Sequence, residues 1–231
     1  MAEADWTYLN HGLDVATVAR GVTSGVARPP GGANFLFAFN SRTAVQGAVA
    51  LFANLPDFAP MAKGGSLRGC VQRGPGGGPT GFSPFLFLCC QGNSVNDSAY
   101  LLGLSDDDPH RIVLRKGAVA VGLPNADGPG VLLKSSASFA QATWLHLRLD
   151  VIVNANGDVV LKVFQNDLSA HALGTPPSWQ PVSGMVEFID DALGINSGSP
   201  PLTSGRGGFG FSVKEVTRRA YFDHLELLRQ V

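Results

Sequence analysis

Charge is what this chain has least of. Of its 231 residues only 15% are Asp, Glu, Lys or Arg, against roughly 25% in typical soluble domains. A surface so poor in charge is built from Ser, Thr, Asn and Gly, or is covered by partner subunits. The 17 basic residues nearly balance 18 acidic ones and adjoin only at Arg115-Lys116 and Arg218-Arg219. The concentrated basic footprint that a phosphate backbone requires is therefore missing, which excludes nucleic acid as an expected partner. Glutamate is scarce too: Glu3, Glu187, Glu215 and Glu226 are all there are. Glycosidic hydrolysis needs two carboxyls facing one bond. The nearest approach, Glu187 with Asp190 and Asp191, has the wrong offsets for one strand face. No Gly-x-Ser-x-Gly elbow occurs, and His11, His110, His146, His171 and His224 stand at no metal-ligand spacing. The expectation is a protein that is not an enzyme.

Cysteine is limited to Cys70, Cys89 and Cys90, too few for a disulfide framework and wrongly spaced for zinc; buried free thiols are expected. No apolar run approaches a membrane span, and the opening MAEADWTYLN has neither the basic end nor the apolar core of a signal peptide. The chain is expected to be made and kept in a cytoplasm, with no membrane partner. Sustained helical periodicity is also absent. Only Asn40 to Phe52, rich in Ala and Val, reads equally as a short helix or a strand.

What the chain does have is β patterning. Between Trp144 and Val153, Leu145, Leu147, Leu149, Val151 and Val153 alternate with Trp144, His146, Arg148, Asp150 and Ile152, which predicts a long strand with one apolar face. Asn156-Gly157 supplies a hairpin turn, and Val159, Leu161 and Val163 resume the alternation. Such a ribbon cannot bury its apolar face alone, so strands must lie beside it and a second sheet above it. Further strands are predicted at Phe35 to Phe39, Phe82 to Cys90 (a central one), Ala99 to Leu104, His110 to Lys116, Val131 to Lys134, Met185 to Ile189, Phe209 to Val213 and Ala220 to Leu228. The tract Arg73 to Pro79 is a flexible loop, lacking the lysine and hydroxyl of a phosphate cradle. The segment from Asn166 to Pro181, with Pro176-Pro177 and Trp179, reads as a long crossing connection. With 45% apolar residues and 14 Phe, the core is ample. The expectation is an all-β antiparallel β-sandwich of the jelly-roll type, a single domain over residues 1–231, with at most one or two short helices.

The C-terminal third resembles the concanavalin A-like, laminin-G-like jelly-roll superfamily. Trp144-Leu145-His146-Leu147 opens a long strand, an Asn-Gly hairpin follows, then Gly208-Phe209-Gly210-Phe211, then a last strand of YFD-x-L-E-L form from Tyr221 to Leu227. The resemblance implies that the first strand, Trp6 to Leu9, lies next to Phe222 to Leu228. It also implies calcium on rim carboxylates as the metal to consider, with Asp106, Asp107 and Asp108, or Asp190 and Asp191 with Asn196, as candidates. The whole chain is similar to structural proteins of tailed-bacteriophage virions. On that resemblance the expected function is a capsid-decoration or tail-associated subunit of the virion, contacting other virion proteins and copies of itself. The alternative is a lectin-like carbohydrate-binding module. For that, Trp179 is the candidate platform with Asn166 and Asp167 as hydroxyl partners, since sugar sites pair an aromatic face with a few polar groups.

Overall fold

The computed structural model describes residues 6–11, 18–23, 35–40, 47–53, 63–74, 82–92, 96–123, 125–193, 199–213 and 219–229, the first four of these segments by backbone alone. The strands are β1 (Trp6–His11), β2 (Val18–Thr23), β3 (Phe35–Asn40), β4 (Gly47–Ala53), β5 (Gly65–Arg73), β6 (Phe82–Cys90), β7 (Ser98–Leu104) and β8 (His110–Ala118). They continue as β9 (Val131–Phe139), β10 (Trp144–Val153), β11 (Val159–Asn166), β12 (Trp179–Pro181), β13 (Phe188–Asp190), β14 (Arg206–Val213) and β15 (Arg219–Arg229). One 3-10 turn, Val119–Val121, is the helical element among the described residues. The ambiguous Ala/Val-rich stretch resolves as strand β4 over its described part.

Every pairing is antiparallel. Sheet one runs β1-β4-β14-β6-β7-β8-β9 and sheet two runs β12-β11-β10-β5-β15-β3-β2, with β13 also pairing β11. The all-β sandwich is thus as expected, and β6 is central in its sheet, held between β14 and β7. The place expected for the first strand is not the observed one. β1 pairs β4 in sheet one, while both edges of β15 are taken in sheet two, by β5 and β3. Phe222 is flanked by Val71 and Leu36, and Trp6 to Leu9 instead pair Ala53 to Ala50 of β4.

The β10–β11 hairpin keeps the predicted register, from His146 opposite Asn166 to Val153 opposite Val159. Its loop spans Asn154 to Asp158, closed by Asn154 N donating to Asp158 O at 2.9 Å. Gly157 has φ +92°, a conformation that side chains disfavour. Leu145, Leu147, Leu149, Val151, Val159, Leu161 and Val163 point inward to one core with Phe222 of their own sheet and Leu86, Leu88, Leu114, Phe209 and Phe211 of the facing sheet. Each such side chain contributes about 1.5–3 kcal/mol on burial. Cys70, Cys89 and Cys90 are free and buried, as read from sequence. Burial pushes the thiols up, to about 12 at Cys89 and about 11 at Cys90, so they pack as small hydrophobes and are poor nucleophiles.

One polar group of contacts bridges the sheets inside this core. Lys116 of β8 donates from Nζ to Asp190 Oδ2 of β13 at 2.7 Å, and Tyr100 of β7 donates from its hydroxyl to the same oxygen at 2.6 Å. Lys116 also donates to Ser199 O at 2.9 Å, and Leu202 N donates to the Tyr100 hydroxyl oxygen at 2.9 Å. The side chains of Lys116 and Asp190 are 3% and 0% exposed. This cluster ties the end of sheet two and the 199–202 segment to sheet one.

Candidate functional site

The residues that alternate with the core on β10 emerge on the outer face of sheet two, where register lines them up with neighbours far away in sequence. Trp179, Asn166, His146, Cys70 and Asp223 form one cross-strand row over β12, β11, β10, β5 and β15. Two positions along, Pro181, Phe164, Arg148, Arg68 and Glu226 form the next row. Beyond it, Lys162, Asp150, Ser66 and Leu228 form a third.

In the first row Asn166 is a clamp. Its amide Nδ2 donates to His146 Nδ1 at 3.2 Å and to His171 O at 2.9 Å, and its Oδ1 accepts from Ser178 N at 2.9 Å. Both ends of the 167–178 connection are thereby fixed to the sheet, and Leu168 and Leu173 pack on Cys70 and Trp144. Since Nδ1 of His146 accepts, its proton sits on Nε2, and this buried N–H has no hydrogen-bond partner. The ring stands edge-on to Trp179, centroids 4.6 Å apart, and to His224 at 5.9 Å. Burial, then the charges of His224 and Arg68, lower the His146 pKa to about 4, so the imidazole is neutral at pH 7. Replacing Asn166 by alanine removes three hydrogen bonds and strands the Ser178 N–H. The expected result is a loss of about 1–3 kcal/mol and faster limited proteolysis within 167–178. Unchanged cleavage kinetics would mean that packing of Leu168 and Leu173 alone holds the connection.

The second and third rows are half-buried, apart from exposed Pro181 and Leu228 and buried Asp150. Arg148 makes a two-pronged contact with Asp150, Nε to Oδ1 at 2.7 Å and Nη2 to Oδ2 at 2.6 Å, and the Ser66 hydroxyl donates to the same carboxylate. The Arg148 guanidinium lies 5.3 Å from the centroid of the Phe164 ring. Alongside, Arg68 pairs with Glu226, its Nε at 2.7 Å from Oε2. An open groove of about 330 Å³ runs over Ser66, Arg148, Asp150, Ile152 and Leu228. Paired in this way, the side chains are fixed in plane and position before any ligand arrives. Arg148 Nη1 and Glu226 Oε1 carry no hydrogen bond among the described residues, leaving a donor and an acceptor for hydroxyl groups.

The three residues singled out for sugar contact are divided by strand parity. Asn166 and Trp179 share the outer face, but Asn166 is 1% exposed with its amide fully engaged, so its role is to hold the connection. Trp179 is half-buried against His146. Asp167 is exposed and lies away from them, at the rim between the sheets beside Gln165 and Gln180. Ser66 of the groove, and the neighbouring Arg68 and Glu226, were not singled out in the sequence. The alternation Ser66, Arg68, Cys70 within β5 is the signal that places them on one face, though it does not say beside which strand.

Three of the candidate calcium carboxylates, Asp107, Asp190 and Asp191, accept hydrogen bonds within the protein. Asp107 accepts from Ser105 Oγ and Ala126 N, Asp190 holds Lys116 and Tyr100, and Asp191 Oδ1 accepts from Leu193 N at 2.9 Å. Asp106 is buried and Asp108 exposed, and Asn196 lies outside the described residues. Among the described residues no three His, Cys, Asp or Glu side chains converge as a metal-ligand group.

No protein-family model matches the chain, and no curated protein matches it in sequence. Solved structures do share its architecture. The carbohydrate recognition domain of Emp46p in its potassium-bound form is similar at 10% identity and a TM-score of 0.50, over 99% of this chain and 90% of that one. The exoplasmic/lumenal domain of VIP36 in a Ca2+/Man3GlcNAc-bound form is similar at 10% identity and 0.50, over 99% and 90%. The cellulose induced protein Cip1 is similar at 8% identity and 0.52, over 100% and 94%. At such identities the likeness is one of fold: the chain adopts the concanavalin A-like β-sandwich seen in lectin carbohydrate recognition domains.

Proposed function

We propose that this protein is a non-catalytic, lectin-like carbohydrate-binding module that takes a saccharide across the outer face of sheet two. The observation carrying this reading is the pre-paired array Arg148–Asp150–Ser66 beside Arg68–Glu226, set over a groove with Ile152 and Leu228 as apolar flanks. Sugar hydroxyls both donate and accept. Glu226, Arg68 and Arg148 stand side by side on strands roughly 4.8 Å apart, with Asp150 two residues along from Arg148, so the face presents both donors and acceptors. The apolar flanks suit the C–H face of a pyranose ring, and low net charge suits a neutral ligand. The sandwich shared with the VIP36 domain, which holds Man3GlcNAc in its solved form, supports the reading at the level of fold. A glycan array probed with the full chain is expected to give hits. Arg148→Ala and Asp150→Ala are each expected to weaken the best of them about tenfold, the loss of one charge-assisted hydrogen bond. An array without hits, or affinities untouched by both changes, sinks the reading.

A second reading, as a subunit of an assembly such as a bacteriophage virion, rests on a different observation. Val186, Ile189 and Leu193, at and beside β13, are 61%, 50% and 68% exposed, on a chain already poor in charge. Apolar side chains clustered at a sheet edge favour protein contacts. Light scattering after size exclusion separates the two, since an obligate subunit oligomerises or travels with particles and a free module elutes as a monomer.

A further inference from the structure

A second concavity lies where the two sheets part at one rim. Val163 of β11 faces the core, and the next residue of the same parity, Gln165, faces the mouth of the sandwich. Gln165 pairs in register with Gln180 of β12. The cleft these side chains help to line measures about 370 Å³; its other walls come from Phe139 of β9, Pro181, Ser183 and Asp167.

Its frame is fixed. Ser136 N donates to Ser183 O at 2.8 Å and Val182 N to Val163 O at 3.1 Å, so β9 and the chain after β12 are tied across the rim. Gly184, at φ +85°, permits this approach, because a Cβ there would stand 2.7 Å from Ser136 Oγ and 2.9 Å from Lys134 O. Asp167 is held by Ser169, whose N and Oγ both donate to Oδ1, at 2.9 and 2.7 Å. These bonds also hold its carboxyl below the usual carboxylate range, and they leave Oδ2 for a ligand. The Gln165 amide makes no hydrogen bond among the described residues, and Gln180 makes one, Nε2 to Ser178 Oγ at 3.3 Å. Phe139 supplies a half-buried aromatic wall and Pro181 an apolar one. No basic side chain lines the cleft among the described residues, and its one charge is negative.

We infer that this rim cleft is a second, separate binding site for a neutral saccharide of about disaccharide size, recognised by the Gln165 and Gln180 amides and Asp167 against Phe139. Two amides and an oriented carboxylate offer donors and acceptors without a cation, which matches hydroxyls and rejects uronates or sulfated sugars. The site deepens the carbohydrate-binding reading without depending on the outer groove, because β11 and β12 present Phe164 and Trp179 to one face and Gln165 and Gln180 to the other.

The test is an NMR titration of the isotope-labelled full chain, following the side-chain amide signals of Gln165 and Gln180 and the Arg148 Nε signal. The probes are cellobiose, maltose and lactose, with a uronate-containing disaccharide as the anionic counterpart. The inference predicts saturable shifts at both glutamine amides with at least one neutral disaccharide and none with the uronate. It also predicts an affinity about tenfold weaker in Gln165→Ala and in Asp167→Ala. Shifts at Arg148 alone would support the outer groove and overturn the rim site. Shifts at the glutamines alone would support the rim site and remove the groove. Still glutamine signals with every probe, equal response to the uronate, or an affinity unchanged by both substitutions also overturns it.

Discussion

Replacing Asp190 by alanine is expected to destabilise the protein by about 3–5 kcal/mol, the cost of breaking a buried ion pair from one side. With the carboxylate gone, the Lys116 ammonium keeps only the Ser199 carbonyl, and the Tyr100 hydroxyl loses its acceptor. Neither can reach bulk water, since Tyr100 is fully buried and Lys116 nearly so. For a chain of this size such a loss lowers Tm by roughly 10 °C. The double variant Lys116→Met/Asp190→Leu is expected to recover most of it, because replacing both charges by apolar groups of similar volume is close to neutral. The pair of measurements separates charge from shape. If Asp190→Ala cost under about 1 kcal/mol by urea unfolding, water would have to reach the pair, contrary to its burial.

The same cluster shows why parts of this molecule were legible in its sequence and others were not. The β10–β11 hairpin could be read because its information is local: period-two apolarity fixes the face, and Asn156-Gly157 marks the loop. The inward–outward division it predicts, Leu145 in and His146 out, holds along the strand. Asp190 looked like half of a surface acidic pair because nothing near it in sequence is basic. Its partner lies 74 residues earlier, in a strand of the opposite sheet, and only the packing of one sheet on the other brings them together. Strand order fails for a similar reason. Tyr221 to Leu227 announces a strand, yet which strands flank it depends on competition among many similar apolar edges. β5 takes one edge, β3 takes the other as far as Phe222, and β1 goes to sheet one. The sugar candidates divide along the same line: Trp179, read from sequence as part of a proline-rich connection, lies in strand β12 opposite Asn166 and half-buried. Period-two geometry then sends Asp167 to the rim with Gln165 and Gln180, beside a Phe139 that no local pattern connects to them.

Lowering the pH from about 6.5 to about 4 is expected to remove about 3 kcal/mol of stability through His146 alone. In the folded protein its pKa is depressed to about 4, from 6.5, first by burial and then by the charges of His224 and Arg68. The unfolded chain therefore takes up the proton first as pH falls, and stability drops through that window by about 1.4 kcal/mol per tenfold difference in proton affinity. Above pH 6.5 both states are neutral and the effect vanishes. His110, lowered by burial and by Arg73, adds a slope of the same sign. Asp223, raised by burial, works against it, because its folded form keeps a proton that the unfolded form releases. The structural consequence is local: a proton on His146 Nδ1 turns the acceptor of the Asn166 amide into a donor facing a donor, loosening the clamp on the 167–178 connection. Urea unfolding between pH 4 and 7 measures the slope, and His146→Gln, which keeps an acceptor for Asn166 without titrating, is expected to flatten most of it. Equal slopes in the two proteins would show that His146 is hydrated in the folded state and that the acid sensitivity belongs to other groups.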